Sequence, residues 1–163
     1  MLNPLPTVHS PITPKLVEGL YFEAMTLADS ARAYFDREGA EERADLDPIT
    51  RVAFSCESLK VTTRLMHVVS WLLVRKAIQA GELPEDAALS PDRRLPRGDV
   101  AAPAGDDPER LLRLPPRARA LIDSSRDLYE RVRRFDAQLD AAATPQEGPT
   151  GARALLGRLQ DAL

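Results

Sequence analysis

From Pro48 onward, apolar and small residues recur at spacings of three and four along two separate tracks. One runs Ile49, Val52, Cys56, Leu59, Thr63, Met66, Ser70, Leu73 and Ala77. The second, nearly opposite, runs Phe54, Ser58, Val61, Leu65, Val68 and Leu72. Thr62 and Val69 fill the arc between them. At about 100° per residue the two tracks cover about two-thirds of the helix circumference, more than a three-helix bundle requires of one member. The first track, through Leu59 and Met66, is expected to be the seam within the bundle. The second is then surplus, and a second copy of the chain is the expected cover, with Phe54, Ser58, Val61, Leu65, Val68 and Leu72 as the dimer seam. The alternative cover is the chain's own 82–115 link.

The remaining arc is polar and holds Glu57, Lys60, Arg64 and His67 before ending at Trp71. Two readings stay open for it. Either Trp71 is packed beside a solvated charged strip, or Glu57, Lys60, Arg64, His67 and Trp71 face a protein partner, since tryptophan and arginine are enriched where partners bind.

Two further windows carry helical rhythm. Leu20, Ala24, Leu27, Ala31 and Tyr34 form one stripe, with Val17, Tyr21, Ala28 and Phe35 beside it, and Tyr21, Phe22, Tyr34 and Phe35 read as core and rim. Leu121, Ser125, Leu128, Val132, Phe135 and Leu139 form another. Proline breaks helices, and the proline-free windows 15–47, 49–83 and 117–144 frame all three patterns. Thr13-Pro14 and Asp47-Pro48 supply N-caps with proline at the first helical position, and Gly39 and Gly81 fall where left-handed C-caps are expected. The expectation is an all-α protein, a three-helix bundle with helices at about 14–37, 48–80 and 116–141. Residues 1–141 then make one domain, with a proline-rich start and a long 82–115 link in which Asp106-Asp107-Pro108 opens a short turn through Leu111, Leu112 and Leu114. A flexible tail is expected at 142–163, where Ala152–Leu163 is too short to hold as a helix by itself.

Composition narrows the function. The 163 residues carry a net charge of -3, so no global field draws nucleic acid or anionic lipid. Arginines of the third helix alternate with acids, as in Asp127/Arg131 and Glu130/Arg134, which describes a solvated face. There is no apolar run of membrane-spanning length and no secretory leader, so a cytoplasmic chain is expected. Cys56 is the single cysteine, read as a buried small residue of the first track. His9 sits in the proline-rich start, and His67 has no second ligand at metal spacing. With no glycine-rich phosphate loop and no carboxylate pair, neither catalytic residues, a cofactor nor a metal is expected.

The string Glu57-Ser-Leu-Lys-Val-Thr-Thr-Arg-Leu-Met66, followed by Ser70-Trp-Leu-Leu73, resembles the signature of the alphaproteobacterial regulator of CtrA degradation (RcdA) family. The likeness runs from about Tyr21 to Leu89, weakens over the third helix and is absent from the tail. It implies a homodimer of helical bundles acting as an adaptor in regulated proteolysis. Its implied partners are the ClpXP protease machinery, response-regulator-type adaptors and cell-cycle substrate proteins, with no nucleic acid and no membrane. A scaffolding dimer outside proteolysis, and a DNA-associated regulator using the arginines of the third helix, are the alternatives.

Overall fold

The computed structural model describes residues 12–96 and 107–143; all statements below concern these. The order is α1 (Pro14–Ala33), a π-helical turn (Tyr34–Glu38), α2 (Ala40–Ala44), α3 (Pro48–Gln79), two 3-10 turns (Glu85–Leu89 and Pro91–Arg93), α4 (Pro108–Leu112) and α5 (Pro116–Ala143). No strand occurs among the described residues. The all-α expectation holds. The three-helix outline is simplified in two places, since a π-turn and α2 extend the first helix and the link carries three short helical turns. The proline-rich start and the 142–163 tail lie outside the described residues, apart from the last two residues of α5.

Caps explain where the long helices begin and end. The Thr13 hydroxyl accepts from Leu16 N–H at 3.2 Å, and Asp47 accepts from Thr50 N–H at 3.2 Å, each just ahead of a proline. Hydrogen bonds from the Thr50 hydroxyl and then its N–H hold the Asp47 carboxyl below the usual carboxylate range. Its contribution to stability is therefore present above about pH 4 and lost as acid protonates it below that range. Asp47→Asn keeps the cap without the titration. The variant is expected to lose less thermal stability than the parent between pH 5 and pH 3, measured by paired melts.

At the far end α3 closes in a Schellman motif, with Glu82 N–H on Ala77 O at 2.9 Å and Gly81 N–H on Ile78 O at 3.0 Å. Gly81 takes φ +75°, as expected of a left-handed cap. Gly39 does not: its φ is -84°. There the lack of a side chain matters for space, because a Cβ would stand 3.0 Å from both the ring and the carbonyl oxygen of Tyr34. The Gly39 N–H reaches back to that carbonyl at 2.8 Å, closing the π-turn.

Cross-helix contacts set the directions. Glu18–Lys76 at one end and Phe35 on Phe54 at the other make α1 antiparallel to α3. Arg64–Ser125 and Trp71–Asp136 make α5 parallel to α3. The core joins Val17, Leu20, Ala24 and Ala31 of α1 to Phe54, Val61, Leu65, Val68 and Leu72 of α3, with Leu121, Leu128 and Val132 of α5. Tyr34, Phe35 and Phe54 close the base as an aromatic cluster, their ring centroids 5.2 to 6.0 Å apart.

Candidate interaction surface

The structure reverses the assignment of the two α3 tracks. Phe54, Val61, Leu65, Val68 and Leu72, expected at a dimer seam, are buried inside the chain against α1, and Ser58 is half-buried beside them. The track expected in the core lies open instead: Ile49 is 66% exposed, Val52 63%, Leu59 68% and Met66 66%. Cys56, read as buried, is exposed on the same face. The physical reason is that both tracks have the same period, and only the position of α1 decides which is covered.

The polar strip is also interior. Glu57 is buried, Arg64 is 1% exposed and Trp71 3%. Lys60 is half-buried and holds the Glu57 carboxylate at 2.7 Å. The Arg64 guanidinium donates to the Ser125 hydroxyl at 3.2 Å, and that hydroxyl donates to Ile122 O at 2.8 Å. Trp71 Nε1–H donates to Asp136 at 2.7 Å. His67, half-buried, lines a hollow of about 350 Å³ with Trp71 and the segment around Pro91. Of the expected partner-binding group, Arg64 and Trp71 therefore make a polar seam to α5 and Glu57 pairs with Lys60 of its own helix, all three of Glu57, Arg64 and Trp71 being buried.

Sequence reasoning missed the residues that complete this seam. Arg94 donates to Asp136 at 2.6 Å and also bridges Asp140, tying the 3-10 segment across Trp71. The carboxylates of Asp140 and Asp136 hold the Arg94 pKa above its ordinary value. Ala88 and Leu95 are buried beneath that segment, so the link covers the Trp71 side of α3 and leaves the Leu59/Met66 track open. A signal was present: Ser125 interrupts an otherwise apolar stripe on α5, where a polar partner from a facing helix is called for.

Met66 and Leu73 of the open track also line a groove beside it. Leu73 continues the line past Met66, and Met25 and Phe22 of α1 are exposed as well. Between α1 and α3 runs a groove of about 620 Å³. Ala28, Ala31, Phe35, Leu65 and Val69 line it, with the Arg32–Asp36 pair at its edge. Small residues along both helices leave room for the larger side chains of another element. On α5 three of the arginines are engaged with acids: Arg131 with Glu23 and Asp127, Arg133 with Glu130, Arg117 with Glu38. Among the described residues no group of three potential metal ligands occurs, and no helix is long and apolar enough to cross a membrane.

Comparison with known proteins places this geometry. Residues 9–163 match the model of a family described as "Protein of unknown function (DUF1465)". No curated protein matches the chain. Among solved structures, the chain is similar to RcdA from Caulobacter crescentus CB15, with 32% sequence identity and a TM-score of 0.62. That similarity spans 80% of this chain and 94% of the other.

Proposed function

Because the chain belongs to the RcdA-type family DUF1465, we propose that it is a non-catalytic adaptor for regulated proteolysis in the cytoplasm. In this reading it is a homodimer that helps bring cell-cycle regulators to the ClpXP protease, together with response-regulator-type adaptors. The observation that carries the reading is the unpartnered apolar track of α3, set in a fold shared with RcdA. Its large residues fall at Ile49, Val52, Leu59, Met66 and Leu73, spaced three, seven, seven and seven along a helix. That is the rhythm by which one helix seats against another, and so much exposed apolar surface on one face marks an interaction site. The dimer seam belongs on this track in place of the buried Phe54–Leu72 one, and the adjoining groove would receive the partner's larger side chains. An adaptor needs no reacting group, because holding cargo and protease together raises their effective concentration. Alternative readings are less well supported: the acids paired with the α5 arginines cancel the field a DNA-associated regulator would use, and a scaffolding dimer leaves the family likeness unused.

The test is co-purification of the tagged chain from an alphaproteobacterial host, with mass spectrometry of what comes with it. The whole chain is compared with one truncated after Ala141. ClpX, ClpP or a response-regulator protein enriched at least about tenfold over an untagged control supports the adaptor. Unchanged substrate half-lives on deletion of the gene, with none of these partners enriched, would overturn it.

A further inference from the structure

The groove between α1 and α3 has an apolar floor and a definite length. Ala31 and Leu65 are buried at its base, with Ala28 and Val69 beside them. Along α3 it runs from Ser58 at one end to Leu73 at the other. At 1.5 Å of rise per residue that is a trough of about 22 Å. The end of α5 lies near the Leu73 end. Because α5 is parallel to α3 and Asp136 meets Trp71, Ala143 finishes level with Ile78, one to two turns past Leu73.

Residues 144–163 continue from there and lie outside the described residues. Their sequence has two parts. Residues 144–151 include Pro145, Gly148, Pro149 and Gly151, which end the helical run of α5. After them Ala152, Leu155, Leu156, Leu159 and Leu163 recur at helical spacing, while Arg153, Arg158 and Asp161 fall on the other sides. As a helix, 152–163 would be about 18 Å long, a length the trough holds. A helix that short does not stand alone in water and needs an apolar surface to lie on. The eight residues 144–151 span up to about 26 Å when extended, enough to pass the end of α3.

We propose that residues 152–163 fold back as a helix antiparallel to α3 and seat Leu155, Leu159 and Leu163 in the groove of their own chain. A tethered segment meets its site at an effective concentration that a separate molecule reaches only in the millimolar range. The tail then holds the place that the proposed dimer gives to the partner's side chains, and a second copy binds only by displacing it. That exclusion rests on the dimer reading; the seating of the tail does not.

Seating is tested on a Val52→Glu, Leu59→Glu background, where both charges stand on the open track but outside the groove and keep the chain monomeric. Amide shifts of the whole 15N-labelled chain are compared with those of the same chain ended after Gly151. The amides of Ala28, Val69 and Leu73 should differ between the two, while those of Asp123 and Ser124, exposed on α5, should coincide. Leu155→Asp with Leu159→Asp should reproduce the shortened spectrum, and Asp161→Asn should keep that of the whole chain. With Val52 and Leu59 restored, removing 152–163 should tighten self-association about tenfold, read by sedimentation. Groove amides that do not respond to the tail would overturn the proposal. So would a response that vanishes when the monomeric chain is diluted tenfold, which would place the tail on another molecule. Equal self-association of the two dimeric forms would overturn the exclusion of a second copy. A tail-dependent response with neither form associating upholds the seating and overturns the dimer reading instead.

Discussion

Phe54→Ala is expected to destabilise the protein by about 3–5 kcal/mol, a large share of the stability of a domain this size. Phe54 is almost wholly buried, with the Phe35 ring 5.2 Å away and the Tyr34 ring 6.0 Å away. The site cannot collapse cheaply around the lost ring. Tyr34 is pinned from one side by the close approach of Gly39 and from the other by its hydroxyl, which donates to Glu42 at 2.5 Å. Arg117 also lies over its ring, 5.1 Å from the centroid. A cavity therefore remains, and its cost adds to the lost transfer energy. The control is Cys56→Ala two residues along, which removes an exposed side chain and should stay within about 0.5 kcal/mol. Urea unfolding followed by circular dichroism measures both. A larger loss at Cys56 than at Phe54 would return the core to the first track and refute the arrangement described above.

The second large effect is on assembly. Leu59→Glu combined with Met66→Glu should turn the proposed dimer into a folded monomer, weakening self-association by about a hundredfold or more. Both side chains stand on the open face of α3, so the charges stay hydrated in the monomer and cost its fold little. At a dimer seam each would be desolvated opposite apolar groups. Light scattering should give about twice the 18.0 kDa chain mass for the parent and that mass itself for the variant. A parent that is monomeric at tens of micromolar sinks the dimer. A variant that unfolds would show instead that these residues belong to the core.

These two experiments probe the point at which the sequence and the folded chain part company. The α1 and α5 faces were legible because each carries one apolar stripe with a polar remainder. Val17, Leu20, Ala24, Ala31, Leu121, Leu128 and Val132 are buried where their spacing puts them. The caps at Thr13, Asp47 and Gly81 were legible for the same kind of reason, since each depends on chemistry within one turn of chain. Gly39 was misread because its use is spatial: nothing local announces that a tyrosine ring will press against it.

The α3 faces were not legible, and the cause is symmetry. When apolar residues surround most of a helix, periodicity identifies burial without saying which side is buried against what. Polar residues such as Glu57, Arg64 and Trp71 then look like the exposed side by elimination. Glu57 finds Lys60 on its own helix, but the burial of Arg64 and Trp71 depends on Ser125, Asp136 and Arg94, the first 61 residues beyond Arg64 and the others 65 and 23 beyond Trp71. Buried charges persist only where such partners are in place.

Thus the sequence by itself determined the helical class, the places where the long helices begin and end, the inward faces of α1 and α5, and, through the string from Glu57 to Leu73, the family. Tertiary structure alone decided which track of α3 faces α1 and which faces outward, and that the polar strip is a seam to α5. The first set depends on interactions within a few turns of chain, whose energies can be read from neighbouring residues. The second depends on how three separate helices divide one nearly all-round apolar surface, and no segment carries that information before the others are packed against it.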